Sequence, residues 1–203
     1  TGIDYSADGA GIIRAAKYVK DVDLARIGFG QSIAVTPLQM ITAISAIAND
    51  GILMKPRIVK SITNTDTGAV TSIDPEEVRQ VISTETAEKV KSMMQSVVEY
   101  GTGKRGGVTG YTVGGKTGTS EPMPGREDLD GYVATYVAIS PVENTKIVLL
   151  VILKNPKGSL HNGGQIAAPT AGKMFAEILP YMGIESGNKV NETNNNLSES
   201  DLY

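Results

Sequence analysis

The sequence predicts a mixed α/β chain, on three observations. Capped apolar periodicity marks helices near 36–50 and 83–100, and a further helical pattern lies near Ala168–Leu179. Two apolar extended runs, Tyr132–Ser140 and Lys146–Lys154, are joined by a five-residue link that suits a hairpin. Between these sets lies the densest anomaly of the chain, eight glycines from Gly101 to Gly118.

Each element has a local cause. The stretch Thr1–Val35 is irregular and punctuated by glycine. Thr36 is a suitable N-cap, Pro37 occupies the first helical position, and Gln39 completes a capping box. Leu38, Ile41, Ile44, Ile47 and Ala48 make that helix apolar almost all round, so it is expected to be buried on most sides. Asp50-Gly51 ends it, with Gly51 suited to a left-handed cap. Lys55–Ile73 reads as a hairpin turning at Asp66-Thr67-Gly68, and Val78–Ile82 as another short extended piece. The second helix starts at Ser83 or Thr84 and stops at Gly101. Val90, Met93, Met94, Val97 and Val98 form its core face. The last helix is expected to carry Pro169 in its first turn. Residues 185–203 are rich in Asn, Ser and Glu and read as a disordered tail after a folded body, 1–184. The opening Thr1-Gly2-Ile3-Asp4-Tyr5 has neither initiator Met nor cap, so the chain is expected to start inside a larger domain.

Composition removes several chemistries. Hydrophobic residues are 40% of 203, enough for a core. There is no cysteine and one histidine, His161. Thiol nucleophiles, disulfides, cysteine-ligated zinc and histidine-rich metal sites are therefore excluded, and neither a metal nor a cofactor is expected. Proton transfer near neutral pH falls on lysine or carboxylates. The net charge of −3 resides in the last nineteen residues, where four acids face only Lys189. The body is neutral and lacks the basic stripe of a nucleic-acid binder. The longest apolar run, Ile147–Leu153, is a strand's length and far short of the ~18 residues of a membrane span.

The glycine-rich stretch has two readings. Gly110-Tyr111-Thr112-Val113-Gly114-Gly115-Lys116-Thr117 fits the Walker A pattern. A phosphate loop needs a strand before it and a helix after it. Gly101–Gly107 is no strand, and Pro122, Pro124 and Gly125 oppose a helix. Nucleotide binding is kept as the weaker alternative. The other reading takes Lys116-Thr117-Gly118-Thr119-Ser120 as a strand. Alternation then puts Lys116 and Gly118 on one face, Thr117 and Thr119 on the other. A glycine there lets a substrate backbone approach, an ammonium and hydroxyls can hold a carboxylate, and strand amides can pair with an extended peptide.

A Lys-Thr-Gly triplet marks the serine β-lactamase and penicillin-binding-protein superfamily. The likeness extends through Ile27-Gly28-Phe29-Gly30-Gln31, Thr36-Pro37-Leu38-Gln39-Met40, Ala48-Asn49-Asp50-Gly51, Lys55-Pro56, Val97–Gly103, and Gly163-Gly164 with Ala168-Pro169. The chain resembles the second half of the transpeptidase domain of class B penicillin-binding proteins, of the division and sporulation type. The resemblance implies the C-terminal portion of a penicillin-recognising fold, an antiparallel sheet flanked by helices, with a Lys-Thr-Gly strand near Tyr111–Thr119. It implies a peptidoglycan D,D-transpeptidase that cross-links stem peptides ending in D-Ala-D-Ala through a serine acyl-enzyme and binds β-lactams. Lys116 would tune a Ser-Lys-Ser proton network. Thr117 and Thr119 would hold the substrate carboxylate, Gly118 would let the substrate approach, and the Thr119 amide would supply one oxyanion-hole donor. It further implies an upstream membrane anchor, the outer face of the bacterial cytoplasmic membrane, and cell-wall or division partners.

The family also requires Ser-x-x-Lys and Ser-x-Asn before the triplet. The only matches are Ser186-Gly187-Asn188-Lys189 and Ser186-Gly187-Asn188. One serine cannot fill both roles, and both matches follow the triplet. The nucleophile is therefore expected before Thr1, and this chain alone is expected to be inactive. A non-catalytic module that binds stem peptide or penicillin is the second alternative. His161 is read as a loop residue outside the chemistry. Thr102-Gly103-Lys104-Arg105 is read as scaffolding behind the site. The two glycosylation patterns, at Asn191 and Asn196, are read as chance in an Asn-rich tail.

Overall fold

The computed structural model describes residues 1–6, 8–122 and 131–187. The chain forms two compact units, Thr1–Glu88 and Lys89–Tyr203.

In the first unit, α1 (Asp21–Ile27) and α2 (Pro37–Ala48) precede four short strands, β1 (Ile52–Met54), β2 (Ser61–Thr63), β3 (Val70–Ser72) and β4 (Glu77–Gln80). The expected capping box is formed. The Thr36 hydroxyl accepts the Gln39 N–H at 3.1 Å, and Gln39 Oε1 accepts the Thr36 N–H at 2.9 Å. Asp50 and Gly51 both take positive φ, 53° and 87°, so the helix ends where expected. The expectation that α2 is buried on most sides is not met. Ala46 is its one buried residue. An apolar circumference is buried only where other elements cover it, and within this unit α2 packs on β1.

β2 and β3 pair antiparallel with Ile62 opposite Thr71, the predicted hairpin. Asn64 closes its turn, with Oδ1 accepting the Asp66 and Thr67 N–H groups. The extended piece expected at 78–82 is β4, which pairs antiparallel with β1. The start of the chain is tied to the entry of the hairpin. The Asp4 carboxylate accepts the Ile58 and Val59 N–H groups at 2.8 and 2.9 Å.

Helix α3 (Thr84–Tyr100) has the predicted limits. Its buried residues Ala87, Lys91, Met94 and Val98 follow one stripe at helical spacing. Met93, expected in the core beside Met94, lies off that stripe and is exposed.

The second unit holds β5 (Gly114–Ser120), β6 (Val133–Ser140), β7 (Ile147–Lys154) and α4 (Gly163–Tyr181). The three strands form an antiparallel sheet in the order β5-β6-β7. Helix α4 covers one face. Ala167, Ala168, Ala171, Phe175 and Leu179 pack there with Val113, Tyr136, Ala138 and Val151. On the other face Met94 of α3 lies at Gly114.

Two expected boundaries are corrected. The Lys-Thr-Gly strand begins at Gly114, not near Tyr111, which makes only an isolated bridge with Val108. The last helix begins five residues before Ala168, so Pro169 sits in its body and not in its first turn. Paired glycines read locally as a break. Here they are demanded by close packing. A Cβ on Gly163 would lie 2.3 Å from the Thr135 carbonyl oxygen, and one on Gly164 would lie 2.5 Å from that of Thr102. The proline forfeits one backbone donor in exchange for a buried helix face.

The expected tail lies outside the described residues from 188 onward. Before it, the Gly187 N–H donates to the Gly110 carbonyl at 2.9 Å, and the Tyr111 hydroxyl donates to that of Ile184 at 3.0 Å. Among the described residues, no helix is long and apolar enough to cross a membrane.

Candidate active site

Strand β5 is the edge of its sheet, and register decides which of its backbone groups are free. The Asn155 N–H donates to the Tyr132 carbonyl, immediately beyond the Val133–Lys154 pair. In an antiparallel ladder hydrogen-bonded and open positions alternate. Ala134, Tyr136 and Ala138 therefore bond to β7, and Val133, Thr135, Val137 and Ile139 bond to β5. The partners of those four are Ser120, Gly118, Lys116 and Gly114. By the same alternation, the N–H and C=O groups of Gly115, Thr117 and Thr119 point off the open edge. In agreement with this polarity, Lys116 Nζ donates to the Thr117 carbonyl at 2.7 Å.

The side chains divide as alternation requires. Thr117 and Thr119 lie on the α4 face, and Lys116 on the other. The Thr117 hydroxyl is 2.9 Å from the Thr102 hydroxyl, either of which can donate. The exposed Thr119 accepts the Gly163 N–H at 3.1 Å. Its hydroxyl thus caps α4 from another element, whereas Asn162, at the N-cap position, makes no side-chain cap. Lys116 is exposed and makes no ion pair among the described residues. Gly118 has a second role beyond the one expected. A Cβ there would lie 2.4 Å from Thr135 Oγ1 on β6, so a side chain at this position would force the Thr135 hydroxyl aside.

Behind the strand stands Tyr136, fully buried, its hydroxyl directed to the Gly103 carbonyl at 3.4 Å. Burial pushes this phenol well above its ordinary value, so it stays neutral. Its ring occupies the space where Cβ atoms on Gly106 and Gly115 would fall, 2.6 and 2.5 Å from the nearest ring carbon. The glycines around the triplet thus let one aromatic ring join the loop after α3 to β5. Thr102 belongs to that loop, which agrees with reading it as scaffolding; its direct hydroxyl contact with Thr117 is new.

The Walker-pattern residues do not form a phosphate loop. Gly114–Thr117 are strand residues, and the stretch before Gly114 is a bridge and turn. Of the Ser186 matches, only Ser186 and Gly187 lie among the described residues, and Asn188 and Lys189 lie outside them. Ser186 lies against Gly110 in a non-helical segment. His161 is in the loop before α4, as expected, with its ring stacked on Tyr132. Two groups escaped the sequence reading, the Tyr136 ring and the Gly163 amide. Both act across long sequence separations that no local pattern encodes.

With this geometry in view, the chain can be set beside known proteins. Residues 1–177 match the transpeptidase family described as the penicillin binding protein transpeptidase domain. Stage V sporulation protein D of Bacillus subtilis is 36% identical over 187 residues, 91% of this chain and 29% of that protein. Penicillin-binding protein PbpB of Mycobacterium tuberculosis is 33% identical, over 83% of this chain and 26% of its own length. The chain therefore spans less than a third of these relatives. Penicillin binding protein 3 of Mycobacterium tuberculosis, solved with aztreonam, superposes with a TM-score of 0.76 at 30% identity, over 88% of this chain and 42% of that one. The apo transpeptidase domain of Burkholderia pseudomallei penicillin-binding protein 3 gives 0.76 at 31%, over 91% and 54%. The open strand edge, its Lys-Thr-Gly-Thr sequence and these matches lead to one conclusion: the chain belongs to the penicillin-binding protein transpeptidase family, and its relatives are of class B.

Proposed function

We propose that the whole protein is a peptidoglycan D,D-transpeptidase and that this chain supplies one wall of its active site. The observation that carries the proposal is the open edge of β5, where register turns the Thr117 and Thr119 backbone groups outward beside Lys116. An extended peptide can add to such an edge as a further strand.

In this reading a serine hydroxyl attacks the carbonyl carbon between the two D-Ala residues of a stem peptide. Its proton passes to a neighbouring lysine. The carbonyl oxygen becomes an oxyanion beside the Thr119 N–H. The C–N bond breaks, and the terminal D-Ala leaves with the transferred proton on its amine. An amine of a second stem then attacks the ester, forming the cross-link and freeing the serine. A β-lactam enters the same step, and its ring amide opens as the serine is acylated. Thr117 and Thr119 hydroxyls donate to the substrate carboxylate, and the Lys116 ammonium supplies the positive field. The serine and its lysine belong to a part of the protein outside these 203 residues, since no Ser-x-x-Lys precedes Lys116. The reaction is assigned to the outer face of the bacterial cytoplasmic membrane, with the stem peptide and β-lactams as ligands and with division or sporulation proteins as partners.

Fluorescent penicillin tests the reading. The full-length protein should be labelled covalently and this chain alone should not. In the full-length protein, Lys116→Ala should slow acylation at least a hundredfold, roughly the weight of one preorganised electrostatic group, and far more than His161→Ala. Reversible binding without a covalent adduct would point instead to a non-catalytic penicillin-binding module.

A further inference from the structure

The only histidine of the chain has a structural partner that the mechanism above does not use. The connection from β7 to α4 runs from Asn155 to Asn162, and both its ends grip Tyr132. At the start, Asn155, with φ 52°, donates its N–H to the Tyr132 carbonyl at 2.7 Å. At the end, the His161 ring stacks on the Tyr132 ring, with centroids 4.0 Å apart and planes 23° from parallel. Both rings are half-buried. Tyr132 itself leads directly into β6, whose first residue pairs with Ser120 at the end of β5. The stack therefore lies between the end of the Lys-Thr-Gly strand and the start of α4.

Two residues after His161, the Gly163 N–H donates to the Thr119 hydroxyl. A hydroxyl has one proton and two lone pairs. By accepting the Gly163 N–H, Thr119 keeps its proton for another acceptor, and the bond polarises the hydroxyl and makes it a better donor. The position of the Gly163 amide thus fixes both the direction and the strength of the Thr119 O–H. The first turn of α4 has little freedom to adjust, since Gly163 and Gly164 already pack against the Thr135 and Thr102 carbonyl oxygens without room for a Cβ. On the approach to that turn, the ring stack adds a contact to Tyr132 beside the bonds that the Gln165 and Ile166 N–H groups donate to the Asn162 carbonyl.

We propose that the Tyr132–His161 stack is a positioning device for the transpeptidase: it sets the α4 N-terminus against Thr119 so that the Thr119 hydroxyl is aimed at the terminal carboxylate of the stem peptide or β-lactam. His161 is a positioning residue, acting through Gly163 and Thr119 without touching substrate. The proposal rests on the transpeptidase reading. It gives the histidine a role that needs its flat ring and not its titration.

The test is the second-order rate of acylation of the full-length protein by fluorescent penicillin, with thermal melting run beside it. His161→Ala should slow acylation about tenfold, the scale of one hydrogen bond lost from a binding step. His161→Phe, which keeps a flat ring, should return to within about twofold of the parent, on the same scale. In a Thr119→Val background His161→Ala should cause no further loss, because the hydroxyl through which it acts is gone. If His161→Ala loses its cooperative melt, His161→Leu, which keeps bulk without a flat ring, is read in its place. Parent-like acylation in the ring-free variant overturns the proposal. So does a Phe variant as slow as the ring-free one, or a full additional loss in the Thr119→Val background. A parent that is not acylated at all overturns the transpeptidase reading and this proposal together. A normally acylated parent matched by His161→Ala overturns the positioning role alone.

Discussion

Thr102 and Thr117 share a hydrogen bond between two hydroxyls 2.9 Å apart, and either can be the donor. An arriving carboxylate would remove that ambiguity. Once Thr117 gives its single proton to the anion, its bond to Thr102 survives only with Thr102 as the donor, so the pair becomes a two-step relay toward the anion. Thr102→Val in the full-length protein should therefore lower the penicillin acylation rate about three- to tenfold, one hydrogen bond's worth. Thr102→Ser should stay close to the parent; equal losses in the two variants would remove Thr102 from the relay. Asp4 shows the same economy of donors in the first unit. The N–H groups of Val59 and Ile58 hold its carboxyl below the ordinary 3.8. Its contribution is complete above that value and is lost as the pH falls through the depressed folded value. Amide exchange at Ile58 and Val59 should be protected at neutral pH and released in acid, and Asp4→Ala should release it at every pH.

At the scale of elements, β5 is the least conventional strand and the most constrained. Three of its seven residues are glycine, which weakens a strand considered alone. It survives because the missing side chains let β6 and α4 close around it. A Cβ on Gly115 would fall 2.2 Å from the Tyr136 hydroxyl, in the center of the second unit. Gly115→Ala should therefore destabilise the protein by about 1–3 kcal/mol through overpacking. Chemical denaturation measures this, and Tyr136→Phe in the same background should recover part of the loss by removing the crowded oxygen. Helix α4 makes the complementary point. Its N-terminus is capped by Thr119, forty-four residues earlier in the chain, and not by its own Asn162. Helix start and strand end are thus one device, and a change in either is read by the other.

At the scale of the whole molecule, a body without net charge, without cysteine and with a single histidine is compatible with the proposed serine and lysine chemistry, whose proton transfers use neither a thiol nor an imidazole. The two units differ in how they are built. The second has a continuous core from Val98 through Tyr136 to Leu179. In the first, β2, β3 and β4 are exposed along their whole length.

Much of this was legible from residues alone because it is local. The α2 capping box, the limits of α3, the hairpin turn at Asp66–Gly68 and the β6–β7 pair are set by residues within a few positions of one another. The identity of the Lys-Thr-Gly strand was also legible, since its motifs are short and ordered along the chain. Tertiary structure decided the rest. It showed which side of β5 is open, because that depends on register with β6. It placed the start of α4 at a glycine pair that looks like a break, because the packing partners are the Thr135 and Thr102 carbonyls. It brought His161 to Tyr132 and Gly163 to Thr119, pairs 29 and 44 residues apart by their numbers. Sequence patterns report the preferences of neighbours along the chain. A hydroxyl aimed by an amide from another element is a property of the packed structure, and only the packed structure displays it.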